Sequence, residues 1–88
     1  MRKSEDLFLD FWVVRVREFR AKMSLSQEKL AEKLHVNVRN YQKLERGVHR
    51  PSAITLPLFL NLLPDQEILA FVHTFGKLAE AGHSEEVA

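Results

Sequence analysis

Residues 24–51, SLSQEKLAEKLHVNVRNYQKLERGVHRP, constrain what this chain can fold into more than any other stretch. Their spacing predicts two short helices joined by a tight turn. Ser26 can cap the first helix, its hydroxyl accepting a backbone N–H that the first turn leaves without an intrahelical partner. Leu25 and Leu30 have the spacing of a hydrophobic staple across that cap. Leu30 and Leu34 are four residues apart and share a face. Ala31 beside them is small enough to let another helix come close. Asn37 can cap the second helix, Val36 and Tyr41 repeat the staple spacing, and Tyr41 and Leu44 form the inward face. Gly47 is placed to end it, because glycine adopts the left-handed conformation beyond a helix at little cost.

Two segments within this stretch, S-Q-x-x-L-A-x-x-L-x-V at residues 26–36 and L-E-R-G-x-x-x-P at residues 44–51, resemble the helix-turn-helix of the Cro/phage-repressor (XRE-like) family. The resemblance extends over roughly residues 12–63. It implies an all-α, five-helix repressor-like domain in which the second and third helices form the helix-turn-helix. It also implies an ion pair between Arg20, in the helix before the motif, and Glu45 of the L-E-R-G segment. Two positions depart from the family pattern. His35 stands where glycine is usual in the inter-helix turn; histidine is among the residues that tolerate positive φ, at some cost in stability. Tyr41 replaces a smaller aliphatic residue, so the core beneath the second helix has to make room.

Eighty-eight residues suffice for one domain, near the lower limit for a self-sufficient core. A single domain over residues 1–82 is expected, with residues 83–88 as a disordered tail. The absence of cysteine excludes a disulfide framework and a Cys-based zinc site. The apolar run at residues 7–14 is broken by Asp10 and bounded by Arg15, too short to span a bilayer, and it lacks the basic start and cleavage site of a signal peptide. No membrane partner is expected. The net charge of +1 is uninformative, but its distribution is not. Residues 1–22 carry six basic and four acidic side chains, residues 23–50 six and three, and residues 51–88 one and five. Positive charge therefore gathers on and before the two-helix motif. Without the motif, such a distribution would describe no more than a solvated face.

Ser4, Glu5 and Asp6 make a helix start, with a cap followed by acidic residues at the positive end of the dipole. A helix over residues 4–22 places Phe8, Trp12, Val16 (or Arg15), Phe19 and Met23 on one stripe. Residues 7–14 are also rich in β-branched and aromatic residues, so strand remains open there. A helix this apolar all round requires a second covering surface, from the C-terminal helix or from a partner subunit. A fourth helix is expected over residues 52–63, its regular part beginning near residues 53–56, capped by Ser52 or Thr55, with Pro57 in its first turn and Leu56, Phe59, Leu60 and Leu63 inward. A fifth follows Pro64 with Asp65 as cap, runs over residues 66–81 and stops at Gly82, with Ile68, Val72, Phe75 and Ala79 on one stripe.

In a helix-turn-helix the second helix enters the DNA major groove. Its outward positions here, Val38, Arg39, Gln42 and Lys43, are the expected base readers: Arg or Lys to guanine, Gln to adenine, Val to a thymine methyl. Gln27 at the start of the first motif helix, together with Asn40, Arg46, His49 and Arg50, is expected to hold phosphates. Arg2 and Lys3 can extend that contact as an arm. His35, His49, His73 and His83 lack metal-ligand spacing, and no nucleophile–base set or Gly-rich phosphate loop is present. No catalytic residue, metal or cofactor is therefore expected. The expected partner is a near-palindromic duplex DNA operator, bound by a homodimer that regulates transcription. Leu69, Phe71, Leu78, Leu7 and Phe11 are the candidate dimer surface. The alternative from another class is a protein-interaction module, such as an antitoxin, whose apolar first and fifth helices cover a partner protein.

Overall fold

The computed structural model describes residues 4–87, with side chains at residues 6–81, as five helices. They are α1 (Ser4–Lys22), α2 (Gln27–Lys33), α3 (Val38–Glu45), α4 (Thr55–Leu60) and α5 (Asp65–Val87). Residues 7–14 are helical, and no strand occurs among the described residues. Residues 1–3, with the expected Arg2 and Lys3 arm, lie outside them, as does the side chain of the expected Ser4 cap. Among the described residues no helix is long and apolar enough to cross a membrane.

Local chemistry sets the helix boundaries. Ser26 Oγ accepts from the Lys29 N–H at 3.1 Å and Asn37 Oδ1 from the Asn40 N–H at 2.8 Å. The helix ends share one device. After α1, the Leu25 N–H donates to Arg20 O at 3.0 Å and the Ser24 N–H to Ala21 O at 3.2 Å. After α2, Val36 donates to Ala31 O at 3.0 Å and His35 to Glu32 O at 3.1 Å; after α3, Val48 donates to Lys43 O at 2.9 Å and Gly47 to Leu44 O at 3.2 Å. Each is a Schellman closure, and each needs one residue in the left-handed region: Ser24 at φ 54°, His35 at 59° and Gly47 at 75°. Only Gly47 is glycine, and it has a second reason to be. A Cβ there would stand 3.1 Å from Val13 Cγ2 of α1.

His35 is solvent-exposed, so its conformation is the main thing a substitution changes. A non-glycine residue in this region costs about 1–2 kcal/mol, part of which glycine returns through its more mobile unfolded chain. His35→Gly is expected to stabilise the fold by about 0.5–1 kcal/mol, read as a rise of roughly 2–6 °C in Tm.

The covering surface that α1 requires comes from α5. Phe8 packs on Phe75 with ring centroids 4.4 Å apart, and Phe11 on Phe71 at 4.8 Å. Phe59 of α4 lies between them, edge-on to Trp12 at 5.1 Å and to Phe19 at 5.5 Å. Trp12, Val16, Leu30, Leu34, Tyr41 and Phe59 are fully enclosed. The core does make room for Tyr41.

Three expectations about the C-terminal half need correction. The regular part of α4 begins at Thr55, inside the expected window, with Ser52 Oγ accepting the Thr55 N–H at 3.0 Å, but it ends at Leu60, short of the expected residue 63, where a turn takes over. Gly82 does not stop α5, which continues to Val87, since a glycine in a helix interior costs only about 1 kcal/mol. The inward stripe of α5 is Phe71, Phe75 and Leu78 rather than one containing Val72, because the α1 aromatics select that side. Val72 instead faces solvent.

Candidate nucleic-acid interface

The position of α3 is fixed from its C-terminal end by side chains of α1. The last carbonyls of a helix have no intrahelical donor. Here Trp12 Nε1 donates to Leu44 O at 3.2 Å and Arg17 Nε to Glu45 O at 3.1 Å. Both guanidinium edges of Arg20 reach the same region: Nε donates to Glu45 Oε2 at 2.9 Å and Nη2 to Oε1 at 3.0 Å. Nη1 donates to Leu25 O at 3.2 Å, so one side chain joins α1, the turn before α2, and α3. Bidentate pairs of this kind are stronger and more directional than single hydrogen bonds.

Electrostatics follow from that geometry. Burial is the largest influence on the Glu45 carboxyl and pushes its pKa up. The Arg20 hydrogen bonds, with help from Tyr41, the Arg20 charge and Gln27, outweigh it and hold the group below its ordinary value. The Glu45 hydrogen bond holds Arg20 above its own. The Tyr41 hydroxyl is buried beside the pair, outside hydrogen-bonding geometry, and burial followed by the nearby carboxylate pushes its pKa up.

A second chain of contacts runs from Glu45 toward the surface. Gln27 Nε2 donates to Glu45 Oε1 at 3.5 Å, and Gln42 Nε2 donates to Gln27 Oε1 at 3.1 Å. The carboxylate accepts only, so the Gln27 amide must turn its N–H₂ toward Glu45 and its oxygen toward Gln42. The chain Arg20–Glu45–Gln27–Gln42 fixes α2 against α3. Two expected DNA-contacting side chains, Gln27 and Gln42, are therefore engaged with each other.

The remaining expected residues separate by exposure. Tyr41, Leu44 and Glu45 form the buried side of α3. Opposite them lie Arg39, Lys43 and Arg46, with Arg39 and Arg46 exposed and Lys43 half-buried. Val38 lies at the flank and packs partly against the core. Asn40 is exposed next to Arg39, and His49 and Arg50 are exposed in the loop after α3. Arg39, Lys43 and Arg46 thus make a cationic ridge, flanked by Val38 and Gln42. Sequence reasoning did not find Trp12 and Arg17 as the residues that hold this ridge in place. A side chain donating to a backbone carbonyl about 30 positions away leaves no local spacing to read.

The candidate dimer residues do not form one surface. Phe71 is 4% exposed and packs on half-buried Phe11, so the Phe71 ring is spent inside the chain. Leu7 and Leu78 are half-buried. Leu69 is 59% exposed, and the unanticipated Val72 is 48% exposed.

Comparison with known proteins agrees with the motif. The helix-turn-helix family profile matches residues 16–64, which span α2 and α3 together with the second part of α1 and all of α4. No curated protein and no solved structure matches the chain. With the family matched over more than half of its length, the chain belongs to the XRE/Cro-type helix-turn-helix family of DNA-binding transcription regulators.

Proposed function

We propose that this protein binds a near-palindromic duplex operator as a homodimer and represses transcription by occupying a promoter, in the cytoplasm. The observation that carries this reading is the outward ridge of exposed Arg39 and half-buried Lys43 on a helix whose opposite side and C-terminal end are clamped by α1. A rigid rod with free cationic side chains fits the major groove, where arginine and lysine pair with guanine O6 and N7. In this reading the exposed Arg46, His49, Arg50 and Asn40 hold flanking phosphates and set the register. Gln42 reads bases only through the amide atoms that Gln27 leaves unused.

The proposed dimer face is the outer side of α5. Leu69, Val72 and Gly76 recur there at helical spacing, and Gly76 has open space where a Cβ would project. A two-fold dimer of this kind is proposed to present its two copies of α3 to successive major grooves, about 34 Å apart. Leu69→Asp is expected to convert the protein in sedimentation from twice the 10.2 kDa chain mass to the chain mass itself. A monomeric wild type at high concentration removes the dimer.

Arg39→Ala is expected to cost roughly 1–3 kcal/mol on the selected site and to relax one base preference. Fluorescence anisotropy on matched and single-mismatch duplexes measures both. Unchanged specific affinity in Arg39→Ala and Lys43→Ala alike would reassign the reading surface.

A further inference from the structure

The flank of α1 turned away from α3 borders a groove of about 800 Å³ between α1, the end of α4 and the start of α5. That volume falls within the range of sites that take small organic molecules, roughly 300–1,000 Å³. Half-buried Phe11 and Phe19 supply aromatic surface to it over enclosed Phe59 and Phe71, and these rings are already held by one another. A preformed apolar surface of this kind needs little reorganisation to accept a ligand.

One polar group in the lining is unspent. Arg15 Nε is buried and has no hydrogen-bond partner. The guanidinium carbon stands 5.3 Å from the centroid of the Phe11 ring, and Nη2 reaches Glu18 Oε1 at 3.3 Å. The Arg15 side chain as a whole is 41% exposed, so the rest of its guanidinium is open at the groove. Glu18 is a weak competitor for the rest of the guanidinium, since its side chain is 63% exposed. The other charged pair at the rim, Lys22 and Glu67, meets at 3.4 Å with both side chains exposed and links α1 to α5. Arg15 is the cation set directly over the aromatic surface, and the acceptor that best fits a guanidinium edge is a carboxylate.

We infer that this groove binds a small apolar carboxylic acid, its hydrocarbon body on the phenylalanine surface and its carboxylate on Arg15. This site is separate from the DNA-reading ridge and does not rest on that reading. A medium-chain fatty acid is the simplest ligand of the class.

The test uses sodium decanoate, below its micelle concentration, added to the ¹⁵N-labelled full-length chain. Decanol and decylammonium serve as head-group controls. Saturable shifts at Ala70, Phe71 and Thr74 are expected with decanoate. Arg15→Gln is expected to weaken decanoate about tenfold, the worth of one charge-assisted contact, and to leave decanol within about twofold. Ala70 and Thr74 are both exposed at the groove, so Ala70→Trp and Thr74→Trp fill it from two positions without touching the core. Both are expected to abolish decanoate binding while the protein keeps its helical circular dichroism. Equal affinity for acid, alcohol and amine would overturn the inference. So would shifts confined to Leu69 and Val72, or no saturation up to millimolar decanoate. If Ala70→Trp or Thr74→Trp instead turns a wild-type dimer into a monomer, the groove is an interface between copies and the inference fails.

Discussion

Trp12→Ala is expected to lower stability by about 3–5 kcal/mol, the usual cost of deleting a large buried aromatic. Trp12 has no solvent exposure, meets Phe59 edge-on, and donates to Leu44 O. The cavity would open where α1, α3 and α4 meet. A domain of this size has about 4–13 kcal/mol in total, so the variant would retain little margin. Trp12→Phe separates the two contributions. It keeps most of the packing and removes only the indole N–H, and Leu44 O still accepts from Gly47. A loss of about 1–2 kcal/mol is expected for Phe, close to one net hydrogen bond plus a small void. Urea titration of the two variants measures both losses. A Phe variant as damaged as the Ala variant would mean that the hydrogen bond to α3, rather than packing, is what Trp12 provides.

Glu45→Ala is the second large effect. Removing one partner of a fully buried ion pair costs about 3–5 kcal/mol. Here the Glu45 side chain is 8% exposed but that of Arg20 is 30% exposed, so water can partly replace the lost carboxylate. About 2–3 kcal/mol is expected. The same change frees Gln27, and through it Gln42, so α2 and α3 lose a link that the stability figure alone does not report. The pH dependence has a definite sign. The folded Glu45 carboxyl titrates below its ordinary value of 4.5, so the unfolded chain binds its proton first as pH falls. The contribution is therefore complete above about pH 4.5 and is lost as pH drops through the folded pKa. Wild type should lose stability in that acid window, and Glu45→Ala should lose less over the same range. Parallel acid profiles for the two proteins would show that the pair does not stabilise the fold.

What could be read from the sequence was what depends on neighbours in the chain. Ser26 and Asn37 cap the helices they precede, and Gly47 ends α3, because caps and Schellman closures involve residues within about six positions. The same closure at Ser24 was not legible, since serine carries no conformational signal comparable to glycine's. The Arg20–Glu45 pair was accessible only through family resemblance; no spacing rule brings residues 25 apart together. The inward side of α5 was misjudged because Phe71 and Val72 are both apolar, and only the placement of Phe8 and Phe11 on α1 decides between them. Gln27 and Gln42 each read as a free polar side chain, and their mutual contact exists only once α2 and α3 are set at their angle.

Selection of bound fragments from a random duplex pool, run in parallel with wild type, Arg39→Ala and Lys43→Ala, bears most directly on the exposed side of α3. Wild type should enrich one sequence with two related half-sites whose centres are about 10 base pairs apart, or a multiple of that. Each variant should lose preference at a single position in both half-sites. Enrichment of no sequence by wild type, or the same sequence from all three proteins, would contradict the role given to that helix.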